Sequence, residues 1–137
     1  MKKTILFSLM FLSSLMLSQK KTPVVGNDKD VHGCIGSAGY TYSQIKNECV
    51  RVFEQKIKLK EVDSDKGYAS MTAVIFSKNL KKAEIFIPDG AAKSIILERQ
   101  GKSRVWKSGK AIKDTYLLVP YKKKGYQIKK DDVVIYQ

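Results

Sequence analysis

Beyond Arg51 the chain alternates polar and apolar residues in short runs, each stopped by turn-forming residues, and few architectures accept such a pattern. In "QKIKLKEV", Ile57 and Leu59 alternate with Lys56, Lys58 and Lys60, as in a strand with one wet face. "YASMTAVIFS" and "KAEIFIP" follow, separated by the hairpin-length break "KNLK". Asp89–Gly90 and "QGKS" mark turns on either side of "AKSIILER", and "RVWK", "TYLLVP", "KGYQIK" and "DVVIYQ" complete the series. About eight short strands, with no helical run beyond a turn or two, predict an all-β fold: a small antiparallel barrel or sandwich.

The residues before this series read differently. Lys2 and Lys3 precede the apolar run Ile5–Leu17, which is shorter than the roughly 20 residues needed to span a bilayer and matches a signal peptide over residues 1–18. Residues 19–30, with Pro23 and Gly26, read as a mobile leader, residues 31–54 as a cysteine-bounded module, and residues 55–137 as the β domain. The expected location is therefore the periplasm or the outside of the cell, with no transmembrane span left after cleavage.

Cys34 and Cys49 are the only cysteines, and in an exported chain they predict one disulfide, closing a loop at the N-terminus. Closing about 16 residues contributes roughly 3 kcal/mol in the chain-entropy model. An oxidised Cys34 cannot act as a nucleophile with His32. His32, Asp28 and Asp30 beside two distant cysteines are too sparse a set for zinc. No catalytic residue, metal or cofactor is expected, and the chain reads as a binding protein rather than an enzyme.

Within the module, His32 reads as a turn residue before Gly33, and Tyr40 and Tyr42 as a short half-buried strand. "SQIKNEC" reads as a helical turn capped by Ser43, and "CVRVFEQKIKLKEV" as one long strand. The acid pairs Asp63 with Asp65 and Asp131 with Asp132 read as turn residues.

The formal net charge is +13, or about +11 once Lys2 and Lys3 are removed with the signal. Such a balance favours anionic partners through long-range attraction, although lysines spread over many segments also suit the edges and wet faces of a β protein. In "YKKKGYQIKKDD", Lys122, Lys123 and Lys124 lie between two tyrosines, and Lys129 and Lys130 follow. Basic residues interleaved with aromatics can hold a phosphate backbone while rings stack on it, and a lysine triplet ahead of a glycine also forms a solvated hairpin tip. Trp106, in "RVWKSGK", is the aromatic expected to keep a wet edge. These residues make a basic binder of anionic polymers one reading, the polymer being acidic polysaccharide, lipid headgroups or nucleic acid.

A second reading comes from resemblance. "HGCIGSAGYTYSQIKNECVRVFE" resembles a cysteine-bounded module found at the N-terminus of small exported bacterial proteins. The segment Met71–Tyr136, with its short strands, "PDG" turn, central "VWKSGKA" and final strand after "GYQIKKDD", is similar to the β-barrel of periplasmic inhibitors of C-type lysozyme. That likeness implies a protein that plugs a glycosidase cleft with loop residues, Ser108, Gly109 and Lys110 being nearest the inhibitory loop. The partners expected are thus a cell-wall hydrolase or an anionic surface polymer, in preference to nucleic acid.

Overall fold

The structure, a computed structural model, describes residues 28–62, 70–88 and 93–137. The signal peptide, most of the leader, the Asp63 and Asp65 pair and the Asp89–Gly90 turn lie outside the described residues. Among the described residues no helix is long and apolar enough to cross a membrane.

The fold is all-β. A two-stranded hairpin, β1 (Tyr40–Ser43) and β2 (Glu48–Arg51), precedes an antiparallel sheet of eight strands. These are β3 (Ile57–Lys60), β4 (Met71–Phe76), β5 (Lys82–Ile85), β6 (Ile95–Arg99), β7 (Trp106–Ser108), β8 (Tyr116–Tyr121), β9 (Gly125–Lys130) and β10 (Val133–Tyr136). Each strand pairs with the next in sequence. Lys60 and Gln137 exchange both backbone hydrogen bonds at 2.9 Å, and Val62 N donates to Ile135 O at 3.0 Å. This seam brings β3 against β10, so the meander is a nearly closed barrel, which is how an all-β chain removes its exposed edges.

The period-two pattern fills the barrel. Leu59, Val74, Ala83, Ile85, Leu97, Leu118 and Ile128 point inward and are buried, while the polar partners of the same strands face out. β4 departs from the pattern because it is buried on both faces. Its outward-facing Ala73 and Ile75, with Phe86, pack against Val50, Ile45 and Val52 of the N-terminal module. The module is therefore a cap on the outer wall of β4 and β5.

Two features hold that cap. The predicted disulfide joins Cys34 to Cys49 with Cα atoms 5.6 Å apart, and Cys34 is buried. The fully buried Glu84 of β5 also reaches outward to the β1–β2 turn. Its carboxylate accepts hydrogen bonds from Ser43 Oγ at 2.6 Å, Gln44 N at 2.8 Å and Ile45 N at 3.2 Å. Three donors compensate the carboxylate for lost water, as a buried charge requires.

The hairpin bears out one sequence expectation and replaces another. "SQIKNEC" forms a single helical turn between β1 and β2: the Asn47 amide donates to Ser43 O four residues back, Ser43 Oγ caps the turn by accepting the Lys46 amide, and Asn47 takes a left-handed conformation at φ 57° where the chain enters β2. "CVRVFEQKIKLKEV" is instead two strands, broken by a single 3-10 turn at Val52–Glu54 where the chain passes from cap to barrel. Residues 28–30 belong with the cap, since Lys29 bridges Ile35 and Asp28 accepts from Ser37.

Candidate functional site

In an antiparallel meander, alternate hairpins return at the same end of the barrel. The β4–β5, β6–β7 and β8–β9 loops thus share one end, and the β5–β6, β7–β8 and β9–β10 connections share the other. That geometry sorts the charge. The stretch "SKNLKK" supplies Lys78, Lys81 and Lys82, "RQGKSR" supplies Arg99, Lys102 and Arg104, and "YKKKG" supplies Lys122, Lys123 and Lys124, with no acid in any of the three. All are exposed except Arg99, which is half-buried. Glu98, at the edge of the second loop, is the nearest carboxylate in sequence.

Contacts join the first of these loops to the second, and the second to the strand that follows the third. Arg99 N donates to Lys81 O at 2.8 Å, and Trp106 Nε1 donates to Leu80 O at 2.9 Å, tying the first loop to the second. Arg104 Nη2 lies 3.5 Å from the Tyr126 hydroxyl, tying the second loop to β9. A shallow groove between the first two loops is lined by Lys81, Lys82 and Arg99, with Glu98 in its wall. Arg99 is held by its own loop: Nε donates to Ser103 O at 2.7 Å and the guanidinium sits over the Trp106 ring.

Beneath the loops the barrel is stopped by aromatic rings. Phe76, Trp106 and Tyr126 pack with centroids 4.8 to 6.1 Å apart in tilted and edge-on arrangements, the geometry that ring quadrupoles favour. Trp106 is 2% exposed. The expectation of a wet edge is corrected: its polar edge is spent on Leu80 O and its faces lie in the core, so flanking charges do not reveal which way a strand residue points.

Two loops here have unusual backbones. Leu80 takes the left-handed conformation at φ 56°, which costs a side chain with a Cβ roughly 1–2 kcal/mol, and its side chain remains 47% exposed. Lys122 does the same at φ 54° in the β8–β9 tip. There Gly125 is required by close approach, because a Cβ would come within 2.8 Å of Tyr121 O. The lysine triplet is a hairpin tip, as its sequence suggests, and Lys122 Nζ lies 5.0 Å from the centroid of the Tyr121 ring.

The other candidate residues lie elsewhere. Ser108 faces inward at the far end of β7, where its Oγ accepts from Tyr116 N at 2.9 Å, so it supports the β7–β8 loop and is not displayed by it. Lys110 is exposed on that loop. Lys129 lies on the outer wall opposite Leu117 and Val134. Lys130 is at the far end of β9, bonded to Asp114 at 2.8 Å, and that hydrogen bond raises its pKa. Six steps along the extended strand place it about 20 Å from Lys124. The run "YKKKGYQIKK" is therefore divided between the two ends.

This far end is mixed in charge: Lys110 and Lys113 accompany Asp114, Asp131 and Asp132. Asp131 is committed to the turn, donating its amide to Thr115 O and accepting the Thr115 amide at 2.9 Å. In the module, Asp30 accepts the Cys34 and His32 amides at 2.9 Å, and these bonds, the Cys34 one foremost, lower its pKa. His32 is in a turn, stacked on Tyr42 with ring centroids 3.8 Å apart.

Sequence inspection missed Lys78, Lys81, Lys82, Arg99, Lys102 and Arg104. The signal was present: once the turns of a meander are numbered, the basic loops are the alternate ones. The chain matches no protein-family model, no curated protein and no solved structure.

Proposed function

We propose that the protein is an exported, non-enzymatic binding module that holds an anionic partner at the basic end of its barrel. The observation that carries this reading is the sorting of charge: three loops and the strand ends beside them bring nine cationic side chains to one end, against the carboxylate of Glu98 in the groove between two of them. Like charges crowded together destabilise a compact fold through mutual repulsion, so their concentration calls for a counter-charge from outside the chain. Edge protection does not account for them, because they occupy hairpin tips, or in Lys82 and Arg99 the ends of paired strands, and not an open edge.

The chemistry of the remaining groups supports binding over catalysis. Both thiols are consumed by the Cys34–Cys49 bond, a bond typical of oxidising compartments and consistent with export. Asp131 serves its turn, and Glu84 is enclosed by the cap.

The lysozyme-inhibitor reading would place contact at Ser108–Lys110, on the opposite end. One experiment separates the two. Binding to a soluble polyanion such as polyphosphate should weaken steeply with salt, since neutralised charges release counterions. Replacing Lys122, Lys123 and Lys124 with Glu should abolish it, whereas K110E should not. Salt-insensitive binding, or inhibition of a C-type lysozyme that K110E removes, would overturn the proposal.

A further inference from the structure

Resting on the reading of the basic end as an anion-binding surface, we infer that its partner is an anionic lipid bilayer, on which the loop tips lie with Leu80 inserted. Three observations favour a membrane surface over a soluble polymer.

The first is an exposed apolar group among the lysines. Leu80 follows the Lys78–Asn79 turn of its loop, stands between Asn79 and Lys81, and is 47% exposed. It is held there: its amide donates to Ser77 O at 2.9 Å, its carbonyl accepts from Trp106 Nε1, and Asn79 Oδ1 accepts the next amide at 3.0 Å. Exposed Pro120 and half-buried Tyr121 add apolar surface at the same end. Apolar groups ringed by lysines suit the boundary between headgroups and acyl chains, where the charges meet phosphate and the side chain leaves water.

The second concerns stacking. Phe76, Trp106 and Tyr126 are packed against one another beneath the loops, and the half-buried Tyr121 ring has Lys122 over it, so this end lacks the row of open rings on which successive bases or sugars stack in polymer grooves. The third is shape. The cations are distributed over three separate hairpin tips, and the groove between the first two has Glu98 in its wall. A ring of tips addresses a plane; a continuous basic channel would address a chain.

The test uses the full oxidised protein and vesicles of phosphatidylcholine with or without about one-third phosphatidylglycerol. Cosedimentation should require the anionic lipid and fall as salt is raised. Leu80→Trp should show a blue shift in emission on anionic vesicles, while Val133→Trp, at the opposite end and 65% exposed, should show none. Leu80→Asp should lower partitioning about tenfold. Vesicle binding without the Leu80→Trp shift, or with an equal shift at Val133→Trp, would overturn the proposed orientation. Absence of vesicle binding, with salt-sensitive polyphosphate binding retained, would overturn the lipid assignment and leave the anion-binding reading standing. Loss of both would remove both.

Discussion

The two ends of the barrel are built from the same meander and closed by opposite means. At one, aromatic rings stop the core, and the loops above them carry nine cations beside the carboxylate of Glu98. At the other, Ser108, Tyr116, Thr115 and Asp131 close the loops with hydrogen bonds, and Lys130 is matched to Asp114. An end stabilised by buried rings does not depend on its surface charges for cohesion, so those charges are available to a partner. The far end has spent its polar groups on itself.

The comparison predicts unequal responses to mutation. Trp106→Ala should cost about 3–5 kcal/mol in chemical denaturation, since it empties a packed site and releases Leu80 O. At the far end, Ser108→Ala should cost only about 1 kcal/mol, the worth of one hydrogen bond. Similar costs at both ends would break the contrast. Next in size, replacing Lys122, Lys123 and Lys124 with Glu should lower affinity for an anionic surface by about a hundredfold or more, since each basic residue near the surface contributes about 1 kcal/mol, roughly fivefold. Lys110→Glu with Lys113→Glu should leave it within about twofold.

Glu84 supplies a control away from either end. Glu84→Gln should destabilise by about 2 kcal/mol in urea titration, because it weakens charge-assisted bonds to Ser43, Gln44 and Ile45. Affinity of the folded fraction should be unchanged. A binding defect in that variant would show that the cap takes part.

The smallest effect is titration at the far end. The bond to Asp114 raises the Lys130 pKa, so its stabilisation is fully present below the unfolded value, about pH 10.4, and is lost as pH rises through the folded value. Asp114→Asn should remove this alkaline dependence from thermal melts recorded between neutral pH and pH 11. Persistence of the full dependence would show that another group titrates there.

Much of the barrel was legible because alternation reports which face of a strand is wet, and every strand from Ile57 to Tyr136 follows a run visible in the sequence. The disulfide was legible because a signal-like N-terminus and an even cysteine count leave few alternatives. The cap's position was not: Glu84, between Ala83 and Ile85, alternates like any solvent-facing acid, and only the fold shows the hairpin lying over it. The breadth of β4 burial gave a hint, since "TAVIF" is apolar on both faces and a strand of that kind needs a second layer. The basic end stayed hidden for a topological reason. Its loops are about 20 residues apart in sequence and become neighbours only when alternate turns are assigned to the same end. Trp106 misled because its charged neighbours in sequence occupy the loop and the outer wall, while its ring points inward.

The most direct test of this account is an amide chemical-shift map of the oxidised protein titrated with a short polyphosphate at low salt. The account predicts saturable shifts concentrated in residues 77–82, 99–105 and 121–125, with residues 109–115 and 131–133 nearly still. Shifts centred on Ser108–Lys113, or spread evenly over all exposed lysines, would contradict it.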